Sequence, residues 1–166
     1  PETREKTVVA NESANVKSVF MPDGGGLFYT AFNGEQSNLE FFDIASKQSA
    51  TLLAALGNDS QIGLSPDGKT LALFKVTFNG ETNETATNQL YLFNAQTREQ
   101  IAVHDLPPGG IRVQTDEFWK KDGSEIAFSV SGKNYDVDVY SINLKDGKLT
   151  RWYPPQGETT ALYKSE

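Results

Sequence analysis

The side chains able to do chemistry are few and scattered. There is one histidine, His104, and no cysteine. A hydrolytic triad needs a base positioned against a nucleophile, and an exposed serine nucleophile needs a Gly-x-Ser-x-Gly elbow. The nearest match, Gly63-Leu64-Ser65-Pro66, fails at its last position, and its serine leads into a β-turn. No catalytic residue is therefore assigned. His104 sits at the end of an apolar run and reads as a partly exposed structural side chain. Asp23, Asp67 and Asp122 each precede glycine. Aspartate there bonds its own backbone while glycine supplies the positive φ, so a turn role is expected rather than cation binding. Asp136 and Asp138 share one strand face by the period of two and are expected to be solvated or paired with lysines rather than to bind a cation or a substrate amine. Zinc spacing is absent, and Gly24-Gly25-Gly26 lacks the Lys-Ser/Thr of a phosphate loop. No metal or cofactor is assigned.

The elements around these residues repeat. The turn Pro22-Asp23-Gly24 returns as Pro66-Asp67-Gly68 and as Lys121-Asp122-Gly123, the aspartates 44 and 55 positions apart. Each is followed by an apolar run (Leu27–Tyr29, Leu71–Phe74, Ile126–Phe128), then by a second (Leu39–Ile44, Leu90–Phe93, Val137–Ile142). Polar turns come next, at Ala45–Gln48, Ala95–Arg98 and Lys145–Lys148, and a short fourth strand closes each unit. Short runs rich in aromatic and β-branched residues, bounded by Gly, Asp and Asn, are strand chemistry. Only Thr51–Leu56 resembles a helical turn.

Four strands per repeat of roughly 40–45 residues is the pattern of β-propeller blades. The fold class expected is all-β: consecutive four-stranded antiparallel blades, with near-continuous apolar runs in the middle strands. The blades fall at 16–56, 60–105 and 111–153. Residues 1–10 match the outer strand of a preceding blade, because Glu2-Thr3-Arg4-Glu5 resembles Gln96-Thr97-Arg98-Glu99. Residues 154–166 form a tail or begin a further inner strand. Three blades are fewer than the usual four to eight, so the chain reads as a fragment or partial propeller. Self-association through open blade edges is the alternative.

Charge and loops narrow the partners. The net charge is −7 and the pI about 4.8. An acidic surface repels phosphate backbones, so nucleic acid is an unfavoured partner. No apolar run reaches the roughly 18 residues of a membrane span. No signal segment stands at the N-terminus, and periplasmic, secreted and cytoplasmic locations are all compatible with the sequence. Two long polar connections, residues 79–88 and the stretch around His104–Gln114, emerge on the same face of the blades. Loops on a rigid scaffold carry recognition, so Asn79, Glu81, Asn83, Glu84, His104 and Asp105 are candidate contact residues. Trp119 is expected to pack at the end of an inner strand. Trp152 and Tyr153, on an outer strand, are expected either to pack or to form an exposed aromatic pair of the kind that marks an interface.

The stretch Ile62-Gly63-Leu64-Ser65-Pro66-Asp67-Gly68-Lys69-Thr70-Leu71-Ala72 resembles the propeller repeat shared by TolB-like proteins and prolyl-oligopeptidase-type peptidases. Leu106-Pro107-Pro108-Gly109-Gly110, with Phe118–Phe128 and Asp136–Leu144, is similar to a late blade of the peptidase propellers. That resemblance implies a non-catalytic cap over an α/β-hydrolase domain, which would supply the serine, aspartate and histidine. The cap would shield the active site and filter peptide substrates. The TolB resemblance implies instead a scaffold that binds a protein partner without enzymatic activity.

Overall fold

The computed structural model describes residues 16–32, 36–57, 60–78, 85–113, 118–131 and 136–153. They form twelve strands in three four-stranded sheets, each antiparallel and ordered as the chain runs. The first sheet holds β1 (Ser18–Phe20), β2 (Gly26–Phe32), β3 (Ser37–Asp43) and β4 (Gln48–Leu56). The second holds β5 (Gln61–Leu64), β6 (Thr70–Phe78), β7 (Thr85–Asn94) and β8 (Gln100–Leu106). The third holds β9 (Gly110–Arg112), β10 (Glu125–Ser131), β11 (Val137–Asn143) and β12 (Leu149–Tyr153). Thr51–Leu56 lies in strand β4, not in a helical turn, and pairs along β3. The expected outer strand at 1–10 and the tail at 154–166 lie outside the described residues.

The same turn chemistry opens each sheet. Asp23, Asp67 and Asp122 accept, through Oδ1, the backbone N–H two residues on, at 2.8, 3.1 and 3.0 Å. The glycine after each has φ of 74°, 69° and 72°. Met21, Ser65 and Lys120 close the loops, each donating its N–H to the carbonyl five residues later. Only glycine enters the left-handed region without steric cost, which is why the pair Asp-Gly recurs. Ser65 belongs to this turn. Its hydroxyl donates to Asp67 at 2.7 Å and accepts from the N–H of Thr70.

The chain divides into two compact units, Pro1–Asn58 and Asp59–Glu166. In the first, Phe28 and Leu39 are fully buried, and the rings of Phe28 and Phe41 lie 4.9 Å apart. In the second, two sheets stack face to face. Ala72, Phe74, Val76, Leu90 and Leu92 of one meet Ile111, Phe118, Ile126, Phe128, Val130 and Ile142 of the other. Phe74 is central: Phe118 meets it edge-on at 5.8 Å, and Phe128 lies at 5.7 Å. Each such side chain contributes about 1.5–3 kcal/mol by leaving water.

The two stacked sheets differ on their other faces. In β6 the run Leu71–Phe74 is buried on both sides. In β10 burial alternates. Ile126, Phe128 and Val130 are buried, whereas Glu125, Ala127, Ser129 and Ser131 are at least partly exposed. The near-continuous apolar run expected of a middle strand thus holds in the second sheet and gives way in the third, where serines stand at the positions matching Phe74 and Val76.

Candidate functional site

The residues singled out from the sequence fall in different settings, and only His104 and Trp119 are held by contact between sheets. His104 lies inside β8, opposite Leu90, and is half-buried. It is not at a strand end, because β8 continues to Leu106. Its imidazole sits against the turn between β11 and β12, where a Cβ on Gly147 would come within 2.7 Å of Nδ1. Nε2 is buried without a hydrogen-bond partner among the described residues. Asp105, its neighbour, points to the other face and accepts from Gln89 at 3.0 Å.

The crossover to the third sheet is also shorter than its sequence suggests, running only from Pro107 to Gly109. Asn88, 2% exposed, holds it: Nδ2 donates to the carbonyls of Pro107 and Gly109, each at 2.8 Å. Gly109 has φ of 133°, and a Cβ there would meet Val130 at 2.6 Å. Proline preceding the glycines removes N–H groups that this tight path could not satisfy. Asn79, Glu81, Asn83 and Glu84 lie outside the described residues.

The inner strand of the third sheet is interrupted. Arg112 pairs with Ser129 and Trp119 with Ile126, so seven steps along the inner chain face three along β10. Trp119 packs against the shared core, 6.0 Å from Phe118. Its Nε1 is buried and unpartnered among the described residues. Sequence reasoning missed this interruption, although the unusually long spacing to the third Asp-Gly turn was its signal.

At the rim of the third sheet, Asp138 receives Nη2 of Arg151 at 2.7 Å and the hydroxyl of Tyr140 at 3.1 Å. The hydrogen bond to Asp138 raises the pKa of Arg151, while burial, followed by the bond to Asp138, raises that of Tyr140. Asp136 is exposed beside them. Trp152 lies on the serine-lined face, at the register shift that sets Tyr153 opposite Val139. There its Nε1 donates to Oγ of Ser141 at 2.9 Å. Trp152 and Tyr153 remain 62% and 52% exposed.

A cleft of about 380 Å³ opens between the stacked sheets. Its lining includes Gln61, Val76, Ile111, Arg112, Val113 and Ser131. Among the described residues no group of three His, Cys, Asp or Glu side chains could hold a metal, and no helix is long and apolar enough to cross a membrane.

Sheets of four antiparallel strands, repeating in chain order and stacking through inward aromatic residues, have counterparts among solved structures. TolB from Acinetobacter baumannii is 17% identical, with a TM-score of 0.59 over 86% of this chain and 33% of its own. The β-propeller domain of the Trilobed protease from Pyrococcus furiosus is 16% identical, with a TM-score of 0.57 over 82% of this chain and 42% of its own. The fold is that of a β-propeller. The acylaminoacyl peptidase of Pyrococcus horikoshii gives 14% identity and a TM-score of 0.59 over 82% of this chain and 24% of its own. This propeller chain therefore spans well under half the length of each of these proteins. No family model and no curated protein matches it.

Proposed function

We propose that this chain is a non-catalytic stretch of propeller in a peptidase of the prolyl-oligopeptidase type. In this reading it shields an active site built elsewhere and filters the peptides that reach it. One observation carries the reading: His104, two of the turn aspartates and Asp138 are engaged within or between the sheets. His104 is wedged against Gly147, Asp67 and Asp122 close turns, and Asp138 is held by Arg151. A rigid wall of that kind contributes to hydrolysis by excluding water and oversized substrates, and supplies no acid or base itself. Likeness in fold to propellers of two proteins named as peptidases supports the choice.

The test has two arms. The purified chain is expected to leave a set of peptide p-nitroanilides intact, and turnover by it alone would overturn the reading. In the polypeptide that carries the chain, replacing residues 79–84 by a short Gly/Ser link is expected to raise cleavage of long peptides relative to short ones. An unchanged ratio would remove the filter.

A second reading, a TolB-like interaction scaffold, is favoured by the exposed pair Trp152 and Tyr153 on the serine-lined face. It predicts a protein partner whose binding is lost in Trp152→Ala, with no peptidase activity in the parent polypeptide.

A further inference from the structure

Four aspartates precede a glycine: Asp23, Asp67, Asp122 and Asp146. Such a pair carries a reaction of its own. The backbone nitrogen of the glycine can attack the carboxyl carbon of the aspartate before it, because glycine puts no side chain in the way. Two features of a folded chain oppose the attack. Hydrogen bonds to the carboxylate must break before its carbon swings round, and packing about the glycine stops its peptide from turning.

The four pairs differ in both respects. Asp67 accepts from the Ser65 hydroxyl at 2.7 Å and the Lys69 N–H at 3.1 Å, has Lys69 Nζ at 3.6 Å, and precedes a buried glycine. Asp122 accepts from the hydroxyl and the N–H of Ser124 at 2.6 and 3.0 Å and has Lys120 Nζ at 3.6 Å. Gly123 has room around it, but the carboxylate beside it is tied down. The same bonds, the serine hydroxyl first in each case, lower both pKa values. An ionised carboxylate has no hydroxyl to lose as water. Among the described residues Asp146 accepts only from the Lys148 N–H, at 3.0 Å, yet the His104 ring covers Gly147, 2.7 Å from where a Cβ would stand. Asp23 has neither protection. Among the described residues its carboxylate accepts one bond, from the Gly25 N–H at 2.8 Å. Residues 23–25 are exposed, and a Cβ on Gly24 would meet nothing within 4 Å.

We propose that Asp23 is a spontaneous modification site, converting to isoaspartate in the folded protein. The Gly24 nitrogen bonds to Cγ of the protonated Asp23 carboxyl. The Cγ–O bond breaks, and the hydroxyl leaves as water with the amide proton. A succinimide ring remains. Water then adds to the main-chain carbonyl of the ring and breaks that C–N bond, so the chain runs on through Cγ and the α-carboxylate is free. One water is lost and one regained. The product has one extra main-chain carbon inside the loop that Met21 N–H closes onto the Gly26 carbonyl at 2.9 Å, beside the three-residue strand β1. This chemistry needs neither substrate nor partner, so it stands apart from the peptidase and scaffold readings.

The 166-residue chain is aged in heavy-oxygen water, folded and in urea, and then digested with trypsin in ordinary water. Each Asp-Gly pair falls on its own tryptic peptide, Asp23 on 18–47, and each passage through the succinimide leaves one heavy oxygen. Asn33-Gly34 shares that peptide, so fragmentation between the two pairs places the label. In the folded chain, label at Asp23 is expected to build up about tenfold faster than at Asp67 or Asp122, since each hydrogen bond to a charged group that must break slows a reaction by about that factor. In urea the spread is expected to collapse. Asp23→Glu is expected to remove the label from that turn, because glutamate cannot close the same ring. Folded-state labelling no faster at Asp23 than at Asp67 and Asp122 overturns the proposal. The same spread in urea also overturns it, by tracing the difference to neighbouring residues and not to the fold. Label persisting in the turn of Asp23→Glu does so too.

Discussion

At the scale of single residues, Asn88 illustrates how a buried polar group earns its place. Its amide satisfies two carbonyls of a crossover that has no strand partner of its own. Asn88→Ala leaves both carbonyls unpaired, and a buried unsatisfied group costs about 1–3 kcal/mol. A loss of about 2 kcal/mol is expected, read from urea unfolding at constant m-value. The turn aspartates make a pH prediction. The Ser65 hydroxyl, followed by the Lys69 N–H, lowers the pKa of Asp67, and Ser124 does the same for Asp122. A carboxylate whose folded pKa is depressed stabilises the fold above its unfolded value of about 3.9 and loses that contribution as pH falls through the folded value. The unfolding midpoint is therefore expected to stay level in this respect from neutral pH to about 5 and to drop below about 4. The double variant Asp67→Asn, Asp122→Asn should flatten that drop, and an unaltered slope would assign it to other carboxylates.

At the scale of the element, the three turns between third and fourth strands pose one problem and answer it differently. Lys47, Arg98 and Gly147 hold equivalent left-handed positions, with φ of 58°, 67° and 69°. Lysine and arginine accept that conformation at a cost of about 1 kcal/mol. At 147 the His104 ring fills the space a Cβ would need. Gly147→Ala is expected to destabilise by about 2 kcal/mol, falling to about 1 kcal/mol in a His104→Ala background. Equal costs in both backgrounds would show that only backbone strain matters. The strands and Asp-Gly turns were legible in the sequence because they depend on local pattern and local φ. The roles of His104 and Asn88 were not, since each is defined by a partner in the next turn or crossover. Asp138 was expected to be solvated or paired with a lysine, and the fold pairs it with Arg151 instead, a partner thirteen residues on that only the β11–β12 register brings near. The interrupted inner strand escaped because Arg112 and Trp119 are distant in sequence yet share β10.

At the scale of the molecule, residues of the second unit share one core, so its two sheets should unfold together. Phe118 lies edge-on to Phe74 and close over Gly63, whose Cβ would meet its Cζ at 2.3 Å. Phe118→Ala is expected to cost about 3–5 kcal/mol. Its loss should lower hydrogen-exchange protection in β5 and β6 as well as in β10. Protection lost from β10 alone would show that the sheets fold separately. The folding logic is additive stacking of similar sheets, each burying a face that it cannot bury alone.

The two tryptophans occupy different environments: Trp119 is half-buried against the shared core with its N–H enclosed, and Trp152 stands exposed on the rim with its N–H on Ser141. The protein thus carries two built-in fluorophores, one exposed and one half-sheltered. Acrylamide should quench the red-shifted emission of Trp152 first and leave a bluer signal from Trp119. Occupation of the rim and opening of the core would then register as separate colour changes without any attached dye.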